Sequence, residues 1–224
     1  MVFQNRTDAG QELARALLKY KGQHPVVLAL PRGGVPVAAE VAAALDAPLD
    51  LVLVRKIGVP SQPELAMGAV TDGKVPAVVR NNDIIELCGI SDQTFDAACQ
   101  EELAEIERRR RRYIGDRPRA EVESQCVIIV DDGIATGATT LAAIKAVRSR
   151  KPRELVLAVP VAPLDTIDKL QSEVDAIVCL DARRDFGAIG YFYADFRQVH
   201  DDEVTAILKR FPAKGAVHTP DSAS

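Results

Sequence analysis

Five short apolar runs, rich in Val, Ile and Leu, most constrain the fold of this 224-residue chain. Polar and apolar residues barely alternate within them, as expected for parallel strands that are covered on both faces. Helical patterns recur between the runs, so the sequence predicts an α/β fold with a central parallel sheet flanked by helices. The predicted strands span 26–30, 49–56, 126–132, 154–161 and 176–181, and the predicted helices span 8–21, 35–46, 139–150 and 163–173.

Two segments depart from this alternation. Residues 57–83 are interrupted by prolines and glycines, which predicts a loop and a short hairpin. Residues 92–113 are predicted to form a long polar helix. Together they predict an inserted arm at about 57–113. The interrupting prolines are Pro60, Pro63 and Pro76.

We expect a single domain over residues 1–211 and a flexible tail over 212–224, where few apolar residues occur. The net charge of -4 gives no overall attraction to nucleic acid. The chain has no apolar run long enough to span a membrane, and its polar start predicts no signal peptide. Four separated cysteines without a CxxC pair favour a reducing cytoplasm over a disulfide framework.

The stretch VIIVDDGIATGATT, residues 127–140, places Asp131 and Asp132 at the end of a buried strand. In open α/β sheets, ligands bind at the carboxyl ends of the strands. The next loop combines a glycine, hydroxyl side chains and a helix N-terminus, which together suit a phosphate monoester. The carboxylates suit sugar hydroxyls, so the stretch predicts a ribose 5-phosphate site. The predicted phosphate-binding residues are Ala135, Thr136, Gly137, Ala138, Thr139 and Thr140.

Two other interpretations of this stretch exist. The first is an ordinary strand–turn–helix in which an aspartate caps the helix, although the following TGATT favours the phosphate site. The second is a Walker B strand, which requires a GxxxxGK[ST] loop that the sequence lacks.

The same stretch resembles the phosphoribosyl pyrophosphate (PRPP) binding motif of type I phosphoribosyltransferases, in which two acids precede a Thr-Gly pair. The stretches LPRGGVPVAAEVA, RKIGVPSQPELAMGAV and DFRQVHDDEV resemble a bacterial group of stand-alone predicted phosphoribosyltransferases. The resemblance covers about residues 3–211. It implies the type I fold, with a central parallel sheet, a flexible loop and a small hood over the acceptor.

A PRPP ligand needs further donors for its diphosphate. Arg32, Gly33 and Gly34 follow the first predicted strand, and free backbone amides beside a guanidinium suit such a group. In the resembling family this turn is the pyrophosphate loop, which often holds a non-proline cis peptide bond. The alternative is an ordinary glycine-rich turn between a strand and a helix.

Two further cations, Arg55 and Lys56, precede a segment that resembles the family's flexible catalytic loop. Cations that close over the diphosphate would stabilise the leaving group, and exclusion of water would suppress hydrolysis. A solvated strand end is the alternative for both residues. Glu64, in the same segment, could accept a proton, but it is interpreted as a solvated loop residue.

The diphosphate also implies Mg²⁺, which usually keeps several waters and takes one or two carboxylates with phosphate oxygens. Asp131 or Asp132 would contact this ion directly, or only through water and the ribose hydroxyls.

The acceptor site is predicted in residues 181–196, the most aromatic part of the chain. Phe186, Tyr191 and Phe192 would stack on a planar base or form the core of the hood, and the sequence favours neither interpretation. Members of the family that use 6-oxopurines tend to carry an aspartate where this chain has Ala135. Adenine-type members resemble this sequence in having alanine there.

The run ERRRRRY, residues 107–113, is compatible with RNA binding, which some relatives perform. Glutamates just upstream have the spacing of helix ion pairs, which favours a solvated helix face instead. These glutamates are Glu101, Glu102, Glu105 and Glu107.

The sequence therefore predicts an Mg²⁺-dependent phosphoribosyltransferase that joins PRPP to a nitrogen acceptor, a nucleobase-like heterocycle, and releases pyrophosphate. The alternative is a PRPP-sensing or RNA-binding regulator without transfer activity. The expected partners are PRPP and a small heterocyclic acceptor, without a membrane or nucleic acid, and a homodimer is left open.

Overall fold

The computed structural model describes residues 2–73 and 76–211. The prediction of a flexible tail over 212–224 lies outside the described residues. The strands are β1 (Val26–Ala29), β2 (Leu49–Leu51), β3 (Val54–Val59), β4 (Gln62–Thr71), β5 (Val78–Arg80), β6 (Cys126–Val130), β7 (Glu154–Pro163) and β8 (Ala176–Arg183). The helices are α1 (Arg6–Leu17), α2 (Gly34–Leu45), α3 (Asn82–Leu87), α4 (Asp92–Ile114), α5 (Ala138–Ser149), α6 (Leu164–Leu170) and α7 (Asp201–Lys209). Short 3-10 turns occupy Leu18–Gln23, Gln171–Glu173 and Ile189–Phe192.

The central sheet has five strands in the order β2-β1-β6-β7-β8, and all four pairings are parallel. Successive residues of β6 face opposite sides of this sheet, as strand geometry requires. Ile128 packs among residues of α1 and α2, whereas Ile129 packs against Ile144 and Val147 of α5. The predicted α/β fold with helices on both faces is confirmed.

The predicted strand at 49–56 divides into two strands that belong to different sheets. β2 ends at Leu51 in the parallel sheet, and β3 begins at Val54 in an antiparallel one. Between them, the Leu53 N–H donates to the side chain of Asp72 at 2.9 Å, away from the parallel sheet. A change of sheet within a continuous apolar run leaves no mark in residue composition, so the sequence prediction was wrong at this point.

The inserted arm, predicted at about 57–113, runs from the start of β3 to the end of α4, residues 54–114, and it contains more sheet than the sequence predicted. Instead of a loop and a short hairpin, β3, β4 and β5 form a three-stranded antiparallel sheet. Its prolines lie where the ladder hydrogen bonds are interrupted, which is where strands tolerate them. Pro60 is in the turn, Pro63 lies beside two register shifts between β3 and β4, and Pro76 precedes β5.

Helix α4 covers the antiparallel sheet and carries the arginine run. Three of its arginines form the expected helix pairs, Arg108 and Arg109 with Glu105, and Arg111 with Glu107. These hydrogen bonds lower the pKa of Glu105 to about 2. The pairs support the interpretation of this run as a helix face.

Arg110 departs from that interpretation because its side chain is buried. It contacts Asp72, the buried carboxylate at the end of β4, and Arg119 contacts the same oxygen. Apolar residues of α4, including Phe95 and Ile106, belong to the cluster that holds α1 and α2. Ion pairs and a shared apolar core therefore join the arm to the rest of the protein.

Candidate functional site

The two adjacent acids lie at the carboxyl end of β6, in the middle of the parallel sheet. Asp131 is half-buried and Asp132 is buried. The backbone N–H of Asp132 donates to Asp131 Oδ1 at 2.9 Å, which fixes the first carboxylate against the second. The structure thus places both carboxylates where open α/β sheets bind their ligands.

The electrostatics of the two acids differ. Burial first, and then the charge of Asp132, raise the pKa of the Asp131 carboxyl well above its usual range. Asp132 instead has a cationic partner, because Arg6 Nε lies 2.7 Å from its Oδ2. Like charges this close disfavour double ionisation. Asp132 is therefore the acid whose negative charge is compensated within the protein.

Arg6 is a site residue that the sequence analysis missed. It begins α1, after the N-cap Asn5, and lies 126 positions before its aspartate partner. A second nitrogen of its guanidinium donates to the Arg197 carbonyl at 2.8 Å, and the group lies 4.0 Å from the Phe196 ring centroid. Nothing in the local sequence distinguishes Arg6 from a surface helix residue, so no signal predicted this contact.

The predicted phosphate loop enters α5 as expected. Gly137 adopts φ +80°, a left-handed conformation that glycine tolerates, and within the described chain no side chain caps the helix that follows. The first-turn N–H groups of α5 are therefore available to a phosphate. Thr166 Oγ1 donates to the Ala135 carbonyl at 2.9 Å and fixes the start of the loop.

The hydroxyl residues of the loop are not equivalent. Thr136 and Thr139 are exposed beside Ala135 and Ala138 and can offer their hydroxyls. Thr140 is buried, so its hydroxyl is less accessible than those of Thr136 and Thr139. It is the third residue of α5, and its contact with a phosphate stays a prediction.

The predicted diphosphate turn lies against the two acids. A Cβ added to Gly33 would come within 2.1 Å of Asp132 Oδ2, and one added to Gly34 would lie 2.8 Å from the Val130 carbonyl. Only glycine permits this approach, because contacts below 3.0 Å require something to shift. The peptide bond between Pro31 and Arg32 is cis. The structure thus brings the first βα turn and the carboxyl end of β6 together.

The remaining predicted cations are bound to carboxylates. Arg32 Nη1 lies 3.4 Å from Asp201 Oδ1, at the start of α7. In the arm, Arg55 Nε lies 2.5 Å from Glu102 of α4, and Lys56 Nζ lies 3.3 Å from the exposed Glu64. Arg55 and Lys56 line a cleft of about 700 Å³ between β3, β4 and α4. Their predicted closure over a diphosphate stays a prediction.

Comparison with known proteins identifies the family. Residues 3–196 match the family model described as a phosphoribosyl transferase domain. The chain belongs to this family. It is 44% identical over 220 residues to the Mycobacterium tuberculosis proteins named "Putative phosphoribosyl transferase MT0597" and "Putative phosphoribosyl transferase Rv0571c". That alignment covers 96% of the chain and 49% of each relative, so the chain spans about half the length of the curated relatives it matches.

A solved structure supports the fold. The crystal structure of TT1426 from Thermus thermophilus superposes with a TM-score of 0.82 at 40% identity. The match covers 95% of this chain and all of that one. The resemblance that the acid pair and its loop indicated is confirmed at the level of the phosphoribosyl transferase family.

Five of the ten aromatic residues of the chain lie in residues 181–196, the segment that we call the hood. Phe186 and Phe192 are buried and stack on each other with centroids 4.9 Å apart, so they form the hood core. Tyr191 is 77% exposed. Of the three predicted acceptor residues, Tyr191 alone presents an open ring, and the acceptor role stays a prediction.

The hood is joined to the start of the chain. The Phe3 N–H donates to the Phe192 carbonyl at 2.8 Å, and the Ala194 N–H donates back to the Phe3 carbonyl at 2.8 Å. The Tyr193 hydroxyl donates to the backbone carbonyl of Asp132 at 2.6 Å. Burial raises the pKa of this hydroxyl, which keeps it protonated and able to donate. The hood therefore contacts the acid pair both directly and through the segment that carries Arg6.

Within residues 2–73 and 76–211, no cluster of three or more His, Cys, Asp and Glu side chains could hold a metal ion. Carboxylate oxygens are nonetheless the ligands that Mg²⁺ prefers. Asp131 and Asp132 therefore fit an ion that is also bound by phosphate oxygens of a substrate. No helix in that same part of the chain is long and apolar enough to cross a membrane.

Proposed function

We propose that this domain transfers the 5-phosphoribosyl group of PRPP to a nitrogen acceptor and releases pyrophosphate. The contact between the diphosphate turn and the acid pair carries the proposal. Because a Cβ at Gly33 would meet the Asp132 carboxylate, the turn and the acids must lie side by side. A ribose on the acids would then have its C1 substituent beside the turn and its 5-phosphate beside α5.

The proposed roles follow from where charge develops. As pyrophosphate leaves, positive charge grows on the ribose and negative charge grows on the leaving group. Asp131 and Asp132 hold the ribose and favour the first charge, while Arg32 and the N–H groups of Gly33 and Gly34 favour the second. Arg55 and Lys56 would add positive charge from the arm and exclude water.

Magnesium fits the same arrangement. Asp131 and Asp132 would hold the ion, directly or through water and the ribose hydroxyls, together with oxygens of PRPP. When bound, the ion neutralises part of the diphosphate charge. Binding would favour the ionised form of Asp131, whose pKa is raised in this structure.

We further propose that the acceptor is a nucleobase-like heterocycle that enters beneath the hood. The exposed ring of Tyr191 and the alanine at position 135 support this proposal. Alanine at this position favours an adenine-type base over a 6-oxopurine in the family pattern. The four cysteines are free thiols, which supports a reducing compartment such as the cytoplasm.

The proposal is tested by replacing both acids with asparagine. Asp131→Asn with Asp132→Asn keeps the side-chain shape and removes both charges, so pyrophosphate release from PRPP and Mg²⁺ should fall by more than about 100-fold. The assay offers adenine, hypoxanthine, guanine and pyrimidine bases in parallel. The control is Asp83→Asn with Asp96→Asn, which changes two exposed aspartates of the arm.

Two outcomes would contradict the proposal. If the acid double variant keeps full activity, the assigned roles are wrong. If the unaltered protein binds PRPP tightly and consumes no acceptor, it is better interpreted as a PRPP-sensing regulator without transfer activity. In that case RNA affinity that falls steeply with salt would identify a nucleic-acid partner.

A further inference from the structure

Asp201 contacts three side chains from two distant parts of the chain. It is the first residue of α7, within the stretch DFRQVHDDEV to which the proposed mechanism assigns no role. Its Oδ1 accepts from the Tyr113 hydroxyl at 2.7 Å and lies 3.4 Å from Arg32 Nη1. Its Oδ2 lies 3.1 Å from Arg112 Nη1. One carboxylate therefore links the diphosphate turn to the end of α4.

The negative charge of Asp201 does not depend on Arg32. The hydrogen bond from Tyr113 is the largest cause that lowers the pKa of this carboxyl, and the charges of Arg112 and Arg32 lower it further. The first turn of a helix also favours an anion. Asp201 can therefore stay ionised and in place while Arg32 also contacts a ligand.

The contact with Asp201 involves one nitrogen of the Arg32 guanidinium, Nη1. Among the described residues, Asp201 is the one carboxylate that pairs with Arg32, and it engages a single Nη. Arginine has five N–H donors in a planar fork, and such a fork matches phosphate oxygens well. A partner on one nitrogen fixes the plane of the fork and leaves the other donors free for a diphosphate.

On these grounds, which rest on the proposed function, we propose that Asp201 is a positioning residue that orients Arg32 for the diphosphate. Through Tyr113 it also connects this turn to α4 of the arm. The same helix holds Arg55 by way of Glu102. Residues 102 and 113 are 11 positions apart, which is about 16 Å along the helix axis. One helix thus contacts Arg55 directly and is linked to Arg32 through Asp201.

A purely structural role for Asp201 makes a different prediction. As an anchor between α7 and α4 it would affect the stability of the protein and all ligands alike. As a positioning residue it would affect the diphosphate and leave the 5-phosphate site unchanged, because that site lies at α5. Binding of inorganic pyrophosphate and of ribose 5-phosphate therefore separates the two roles.

The test compares Asp201→Asn with Asp202→Asn. Both positions lie in the first turn of α7, and the Asp202 side chain is 98% exposed, which makes it a matched control. Titration calorimetry with Mg²⁺ measures pyrophosphate and ribose 5-phosphate binding to each full-length variant. We expect Asp201→Asn to weaken pyrophosphate binding about tenfold, the effect of losing one hydrogen bond between charged groups. Ribose 5-phosphate binding to this variant, and both affinities of Asp202→Asn, should not change.

A spectroscopic measurement checks the contact itself. Burial, and then the hydrogen bond to Asp201, raise the pKa of Tyr113 to about 12. The ultraviolet absorbance of tyrosinate should show this pKa falling in Asp201→Asn and unchanged in Asp202→Asn. If the Tyr113 pKa falls while pyrophosphate affinity is unchanged, the proposal is overturned.

Should Asp201→Asn fail to fold, Tyr113→Phe removes one donor to the carboxylate and keeps the buried ring. We expect it to weaken pyrophosphate binding about threefold without changing ribose 5-phosphate binding, because Asp201 loses one hydrogen bond but keeps its ion pair with Arg32. Equal losses for both ligands would assign Asp201 a structural role. If the unaltered protein binds neither ligand, the proposed function fails, and the role of Asp201 fails with it.

Discussion

The carboxyl edge of the parallel sheet and the inserted arm both hold residues proposed to contact PRPP, but they hold them by different means. At the edge, Gly33 lies so close to Asp132 that a single added carbon would not fit. In the arm, Arg55 and Lys56 are held by carboxylates, and their side chains remain 32% and 42% exposed. Backbone packing fixes the first region, and exchangeable ion pairs fix the second.

This difference indicates which half of the site is ready for a ligand. Close backbone contacts leave the turn and the two acids with one arrangement, so the side proposed to bind the ribose is preorganised. Partly exposed ion pairs contribute little free energy and can exchange partners at small cost. The arm cations can therefore move from Glu102 and Glu64 to a diphosphate without disturbing the sheet.

The largest expected effect concerns the junction of the two regions. Asp72 lies between them with its side chain 4% exposed, and it contacts both Arg110 and Arg119. Asp72→Ala would leave the buried Arg110 guanidinium and the half-buried Arg119 guanidinium without a counter-charge, so we expect the free energy of unfolding to fall by about 3–5 kcal/mol. Urea denaturation measures this change.

The control for this variant is Asp92→Ala, which removes an exposed partner of Arg80. It should change the free energy of unfolding by less than about 1 kcal/mol. Similar losses in the two variants would mean that the junction depends on the shared apolar core rather than on Asp72.

The preorganised edge is tested by Gly33→Ala. The backbone at Gly33 has φ -59°, which any residue adopts, so the substitution adds a steric clash with Asp132 and no backbone strain. Displacing the acid or the turn by about 1 Å should weaken PRPP binding about 100-fold. Gly22→Ala is the control, because an added Cβ there meets nothing within 4 Å. Calorimetry that finds normal PRPP affinity in Gly33→Ala would refute a preorganised edge.

The smallest expected effect concerns the ion pairs that hold the cations of the arm. Glu102→Gln removes the charge that competes for Arg55, so PRPP affinity should rise about threefold, which is within the range for a partly exposed pair. Glu101→Gln, at the neighbouring exposed position in the same cleft, should leave the affinity unchanged. A weaker affinity in Glu102→Gln would instead assign Glu102 the task of orienting Arg55 toward the ligand.

The two regions also differ in how well their sequences predict them. The edge was predictable because Val- and Ile-rich runs, adjacent acids and a glycine at a helix start are local patterns with fixed consequences in parallel sheets. In the arm, three prolines indicated a loop, whereas they lie in turns and beside register shifts of a real sheet. The change of sheet after Leu51 depends on a hydrogen bond to Asp72, 19 positions away.

The least predictable contacts are those made across the fold. The pairing of Arg6 with Asp132 spans 126 positions, and that of Arg32 with Asp201 spans 169. Both contacts depend on how α1 and α7 pack beside the sheet, and no local sequence pattern specifies that packing. Burial of Thr140 and of Phe186 likewise follows from packing around the loop and the hood rather than from residue type.

The hydrogen bonds that join Phe3 to Phe192 and Ala194 of the hood bear on how the proposed acceptor preference could be re-engineered. Three positions after Phe3, the same segment supplies Arg6, whose guanidinium pairs with Asp132, one of the two acids proposed to hold the ribose. If the hood alone were replaced by that of a relative, its hydrogen bonds to Phe3 could be lost. The position of Arg6 beside Asp132 could then change together with the acceptor site. Chimeras between members of this family should therefore exchange the hood and residues 3–6 as one cassette.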